Sequence, residues 1–99
     1  MVEQGTILNI TGLNFPVLVL SGNEYNHGTG RAVVCPLAKT DSGSVYSLSV
    51  DVPSYSGFTC LDQLKTLDLN ARGFTPRGRI SLAKQIVITG LVQGMFDYI

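Results

Sequence analysis

The side chains able to do chemistry in this chain are few, and the most clustered of them are basic. Arg72, Arg77 and Arg79 form the densest positive stretch, with Phe74 among them. Guanidinium groups hold phosphate oxygens and an aromatic ring stacks on an unpaired base, so the stretch is a candidate nucleic-acid contact. A solvated loop, or a docking patch for an acidic segment, is the plainer reading. Arg31 opens an apolar run, where it can face a groove or close a salt bridge at its rim. His27, the one side chain that titrates near neutral pH, lies in a glycine-rich segment with no Ser-His-Asp or Cys-His pattern around it. Cys35 and Cys60 are widely spaced, and with a single histidine they leave a zinc site short of ligands. No metal site and no glycine-rich phosphate cradle is expected.

The elements that must position these residues read as strands first and a helix last. Gly5 to Thr11 (GTILNIT) is β-branched, apolar and bounded by glycines, as a strand is. Gly12-Leu13-Asn14 turns the chain into Phe15 to Ser21 (FPVLVLS), nearly continuously apolar like a central strand buried on both faces. Pro16 fits only near that strand's beginning, because it lacks a ladder donor. Gly22 to Gly30 reads as a loop with room for one helical turn, and Arg31 to Leu37 (RAVVCPL) as the next buried strand, with Pro36 at an edge or bulge. After a turn over Lys39 to Ser44, Val45 to Val52 alternates: Tyr46, Leu48, Val50 and Val52 against Ser47, Ser49 and Asp51. Phe58 to Leu61 and Leu64 to Leu67 are short strand pieces separated by Asp62-Gln63. Asn70 to Gly78 reads as an irregular basic loop broken by Gly73, Pro76 and Gly78.

Ser81 is the expected N-cap of a helix over 82–97. Ala83, Val87, Leu91, Met95 and Tyr98 recur at four-residue steps as its apolar stripe. Gly90 and Gly94 share one side of it. They either admit another backbone closely, as at a dimer interface, or weaken the helix by about 1 kcal/mol each.

Ninety-nine residues suit one core and one domain, spanning 1–99. The apolar share is 44% and the charged share 14%, so enough apolar surface exists to offset the ordering entropy of a small fold. Seven basic residues balance seven acidic ones, so no large field advertises nucleic acid and any such site must be a local basic groove. Both cysteines lie in apolar runs and are expected as buried free thiols in a reducing cytosol. No basic stretch precedes an apolar run near the N-terminus, and the longest apolar run is far short of a span, so a soluble cytoplasmic protein with no membrane contact is expected.

Three segments in order resemble the MazF/PemK family of toxins. Pro16-Val17-Leu18-Val19-Leu20-Ser21, followed by Tyr25-Asn26, is similar to the family's RPVVVLS…FN strand and loop. Val33-Val34-Cys35-Pro36 is similar to its VVVP strand. Most specific is Leu61-Asp62-Gln63-Leu64-Lys65-Thr66-Leu67-Asp68 with Ala71-Arg72-Gly73, which resembles xDQxRTIDxxARG. The related gyrase-poisoning CcdB toxins share features too: Pro36-Leu37-Ala38 resembles their PLA, and Met95-Phe96 with Ile99 their MFWGI tail, without its tryptophan.

The resemblance implies a mainly β fold with a C-terminal helix, a small SH3-like or CcdB-like barrel of about five to seven strands. It implies a homodimeric toxin, neutralised by a cognate antitoxin protein. The implied activity is a metal-independent, sequence-selective endoribonuclease acting on single-stranded RNA without a cofactor. Such cleavage needs the 2′-OH activated, the phosphorane charge stabilised and the 5′-oxygen protonated, which calls for a base or acceptor and a cation. Family ribonucleases draw on an Arg-containing loop between the first two strands and a Thr or Ser after VVVP. Here that loop is only Gly12-Leu13-Asn14, Phe15 replaces the arginine before the proline, and Leu37-Ala38 follow Pro36. Lys39 and Thr40 are then the nearest polar candidates for catalysis, and Asp62 can accept from a 2′-OH or orient a cation. Asp62-Gln63 could instead cap the turn between short strands. RNA contacts fall to Arg31, Gln63, Arg72, Arg77 and Arg79. A non-enzymatic poison of DNA gyrase, or a catalytically degenerate binding module, are the alternative readings.

Overall fold

The computed structural model describes residues 2–96. In chain order the elements are β1 (Thr6–Ile10), β2 (Val17–Val19), α1 (Asn23–Thr29), β3 (Arg31–Ala38), β4 (Ser49–Val52), β5 (Tyr55–Thr59), β6 (Lys65–Asp68), β7 (Phe74–Arg79) and α2 (Leu82–Met95). The strands join in one antiparallel sheet ordered β4-β5-β3-β2-β1-β7, with β6 also on β3. The result is a mainly β protein with a C-terminal helix, as expected.

β3 organises the sheet. One side of it pairs with β2, while the other pairs first with β6, from Arg31↔Asp68 to Val34↔Lys65, and then with β5, at Leu37↔Thr59 and Ala38↔Phe58. Pro36 falls where one partner gives way to the other. Its carbonyl accepts from the Cys60 N–H at 3.0 Å, and no donor is required of its nitrogen there.

Successive residues of β1, β2 and β3 face opposite sides, and both sides are buried. Ile7, Leu18, Cys35, Leu37, Val50 and Ile88 belong to one core; Leu8, Val17, Val19, Val34 and Leu67 belong to the other. That double burial is why these segments read as continuous apolar runs rather than alternating ones. The outer strands β4 and β7 curl toward each other. Ser54 Oγ donates to the Arg77 carbonyl at 2.8 Å. Gly78, at φ 149°, packs so closely that an added Cβ would lie 3.0 Å from Val52 Cβ. The curled sheet is a small barrel held partly by these edge contacts.

Three expectations need correction. Phe74–Arg79 is a strand, not a loop. Proline and glycine are tolerated because β7 is an edge strand carrying a bulge: Ile7 pairs with Gly78 and Leu8 with Pro76, which leaves Arg77 as the extra residue. The strand expected over Val45 to Val52 is reduced to Ser49–Val52, although Tyr46 and Leu48 still pack on the core. The Thr59 side chain stands in for ladder partners there, accepting from Leu48 N and donating to Tyr46 O, each at 2.9 Å. Finally, α2 keeps its Ser81 cap, which accepts from Lys84 N, but the stripe that docks keeps only Leu91 and Met95 of the expected one and leaves Ala83 and Val87 exposed. Gln85 and Ile88 are buried, with Leu91, Val92 and Met95 packed beside them, while Val87 is 52% exposed. Gln85 donates to the Ile80 carbonyl at 2.9 Å, so a polar residue anchors the helix. Asp97, Tyr98 and Ile99, which complete the expected stripe and tail, lie outside the described residues.

The segment between β2 and β3 forms two turns of helix. Its Asn26 is buried and donates to the Val2 and Ser21 carbonyls, while Ser21 Oγ donates to Asn26 Oδ1 and accepts from Val33 N. Ser21 and Asn26 of the family-like pattern therefore tie α1 to the sheet. No described helix is long and apolar enough to cross a membrane.

Candidate functional site

At the Lys39 end of β3 lies an open groove of about 440 Å³. Three chain segments build it. Asn14, Phe15 and Pro16 come from the β1–β2 connection, Pro36 to Lys39 from the end of β3, and Cys60, Gln63 and Lys65 from the turn that leads into β6; Tyr55 completes the wall. The antiparallel register brings them together, because β3 has β2 on one side and the β5–β6 turn on the other.

Tyr55 is the first residue of β5 and is 7% exposed. Its ring folds back over Gly57, where an added Cβ would lie 2.5 Å from the phenol oxygen. Lys39 Nζ stands 4.2 Å from the ring centroid, and the Arg77 guanidinium 5.8 Å from it. Cations over an aromatic face are attracted by its quadrupole, so the ring positions both charges. Burial pushes the Tyr55 phenol up, with Arg77 pulling the other way, so the group stays a neutral hydroxyl. Cys60 is half-buried, not fully buried as expected, because the chain leaves the sheet just there. Its thiol is pushed up by burial and then by the nearby Asp62 carboxylate. Cys35, in the core of β3, is pushed up to about 12 by burial. Both thiols are free.

The structure gathers some of the expected site residues and scatters the rest. Lys39 and Gln63 line the groove. Asp62 is exposed in the adjoining turn, which Gln63 N closes onto Cys60 O at 3.0 Å. Thr40 is exposed and follows Lys39 without lining the groove. Arg77 reaches the groove only through Tyr55; the bulge turns its side chain to Asn9 Oδ1 and Ser54 Oγ, each at 3.2 Å. Arg31 opens β3, roughly 25 Å of strand away from Lys39. Arg72 is exposed in the turn between β6 and β7, beside Gly73 whose carbonyl accepts from Thr11 N at 2.9 Å, and it does not line the groove. Arg79 pairs with Glu3 at 3.0 Å and with the Gln4 carbonyl at 2.9 Å. The basic stretch Arg72, Arg77, Arg79 is thus no single patch, because strand geometry and a bulge send its members three ways.

Lys65, Tyr55, Asn14 and Phe15 are groove residues that the sequence alone did not single out. Lys65 carries the signal most plainly: it is the basic position inside Asp62-Gln63-Leu64-Lys65-Thr66-Leu67-Asp68. The end of that string is structural, since Leu67 is buried and Asp68 Oδ1 accepts from Asn70 N at 3.0 Å.

A curled antiparallel sheet with a capped C-terminal helix and a polar groove at the end of its central strand defines a small barrel. The chain belongs to the PemK-like, MazF-like toxins of type II toxin–antitoxin systems, a family that matches residues 9–94. The fold is similar to a chain of the MazE–MazF complex (Form-I) from Deinococcus radiodurans, with TM-score 0.83, 23% identity, and 95% of this chain and 94% of that chain covered. It is similar also to MazF alone (Form-I) from Deinococcus radiodurans, with TM-score 0.80, 20% identity, and 95% and 94% covered. An endoribonuclease in complex with its cognate antitoxin, from a mycobacterial species, matches with TM-score 0.81, 19% identity, and 100% of both chains covered. At such identities the shared property is the fold. No curated protein sequence matches the chain.

Proposed function

We propose that this toxin is a cytoplasmic, metal-independent endoribonuclease that cuts single-stranded RNA in the groove at the Lys39 end of β3. The observation that carries the reading is the convergence there of Lys39, Lys65 and Gln63, with Asp62 at the rim, on a chain of zero net charge. Two ammonium groups suit a phosphodiester, and a carboxylate suits the hydroxyl that attacks it. In the reaction O2′ bonds to phosphorus as its proton passes to Asp62, and the P–O5′ bond breaks. Lys39 and Lys65 hold the charge on the phosphorane, and the Thr40 hydroxyl orients the neighbouring phosphate. The 5′-oxygen takes a proton from one of the two lysine ammonium groups as it leaves, Asp62 keeps the proton from O2′, and the other product carries a 2′,3′-cyclic phosphate.

Two partners follow from the same reading. A second copy covers the outer face of α2, where Leu82 is 69% and Ile86 65% exposed and an added Cβ at Gly90 would meet nothing within 4 Å. A cognate antitoxin folds a disordered segment over the groove and blocks it.

Purified chain incubated with long single-stranded RNA in excess chelator tests the proposal. Discrete fragments ending in 2′,3′-cyclic phosphate, lost in Lys39→Ala and Asp62→Ala, are the expected result. Intact RNA from a chain that arrests growth and causes gyrase-dependent DNA breaks would overturn it.

A further inference from the structure

Phe15 is 36% exposed at the groove, while Val17, two residues on in β2, is 2% exposed. Lying just before β2, its half-open ring gives the groove a flat apolar face that a ligand can cover. The other groove aromatic cannot serve as a stacking surface. Tyr55 is 7% exposed, and Lys39 and Arg77 already stand over its ring. Phe15 is therefore the open aromatic face of this groove among the described residues.

What surrounds it narrows the ligand. Asn14 and Gln63 supply amide donors and acceptors, and Lys39 and Lys65 supply positive charge. Asp62 is the nearby acid at the rim. A flat apolar face, hydrogen-bonding edges and flanking anionic groups are together the chemistry of a nucleotide whose base has left its stack. An acidic peptide would answer the two lysines and the amides but brings no flat group to stack on the ring. The volume, about 440 Å³, falls in the range of about 300–1,000 Å³ typical of small-ligand sites.

We propose that Phe15 is the stacking platform for one unpaired base of single-stranded RNA, with Asn14 and Gln63 at the base edge and Lys39 and Lys65 on the adjoining phosphates. This rests on the ribonuclease reading above and gives it a specificity-determining residue. Sequence selection arises because only a base held on Phe15 with its edge matched to the two amides leaves the next phosphate between the lysines.

The test uses short single-stranded oligonucleotides made uncleavable by 2′-O-methylation, with 2-aminopurine placed at each position in turn. The chain has no tryptophan, so the emission reports the base alone. The whole protein is expected to quench 2-aminopurine strongly at one position. Phe15→Ala should lose that quenching and bind about 5- to 150-fold more weakly, with an unchanged unfolding midpoint. Phe15→Tyr should restore both. Equal affinity and quenching in Phe15→Ala, or tight binding with no quenching at any position, would overturn the inference and leave the ribonuclease reading standing. Failure of the native chain to bind any oligonucleotide, with binding of an acidic peptide instead, would overturn both.

Discussion

The two ends of β3 are both rich in polar residues and use them in opposite ways. At the Arg31 end the fold consumes them: Ser21 bridges Asn26 and Val33, Asn26 holds the Val2 carbonyl, and Asp68 caps the turn at Asn70. At the Lys39 end they stay open. Gln63 and Lys65 side chains make no hydrogen bond within the described residues, and Lys39 makes one long contact, 3.5 Å to the Ser56 carbonyl. Polar residues satisfied inside the chain hold a barrel together, whereas those left open await something outside it. The family-like strings straddle this divide. Ser21, Asn26 and Asp68 serve the scaffold, and Gln63 and Lys65 serve the groove.

The largest expected effect strikes both ends at once, through Cys35 at the middle of β3. Its thiol sits at about 12 in the folded chain against an ordinary 9.0, so above pH 9 the unfolded state loses its proton first. Stability should hold below pH 9 and fall by on the order of 4 kcal/mol as the pH rises toward 12. Denaturant titrations across that window check it, and Cys35→Ala should flatten the fall. Parallel curves for both proteins would show that another group drives it.

Next comes a change confined to the Lys39 end. Lys39→Ala combined with Lys65→Ala should slow RNA cleavage by about 10²–10³-fold, the scale for losing groups that stabilise transition-state charge. Both side chains are exposed, so thermal unfolding should not move. The reverse pattern belongs to the Arg31 end. Asn26→Ala strands the buried partners of that amide and should cost about 1–3 kcal/mol, read by denaturant midpoint, while activity per folded molecule stays constant. The smallest effect is Arg31→Ala or Arg72→Ala, within about 0.5 kcal/mol in stability. Neither should change RNA affinity, measured by titration of a labelled oligonucleotide.

Much of the fold was legible because it follows from burial. Double-sided burial makes β2 and β3 continuously apolar, half-burial makes Val50 and Val52 alternate with Ser49 and Asp51, and Ser81 caps α2 in both sequence and structure. What misled is equally physical. Pro76 and Gly78 signal a loop, yet an edge strand with a bulge accepts them. α2 is apolar nearly all round, so periodicity could not say which stripe docks, and the anchor proved to be Gln85. The groove was legible only where neighbours in sequence are neighbours in space, as with Asp62 and Gln63. Phe15, Tyr55 and Lys65 meet through strand pairing, which single-residue chemistry does not reveal. Arg31, Arg72 and Arg79 stand out by charge alone, yet the fold gives Arg79 to a salt bridge, carries Arg31 to the far end of β3 and leaves Arg72 in a turn outside the groove.

The central claim is that ligands engage the Lys39 end of β3 and not the Arg31 end. Backbone NMR shifts, recorded while 2′-O-methylated single-stranded RNA is added to the whole chain, test it most directly. The account predicts shifts at Asn14, Phe15, Lys39, Gln63 and Lys65, with Arg31, Asp68, Asn70 and Arg72 unmoved. Shifts concentrated on Arg31 and Arg72, with the groove silent, would contradict it.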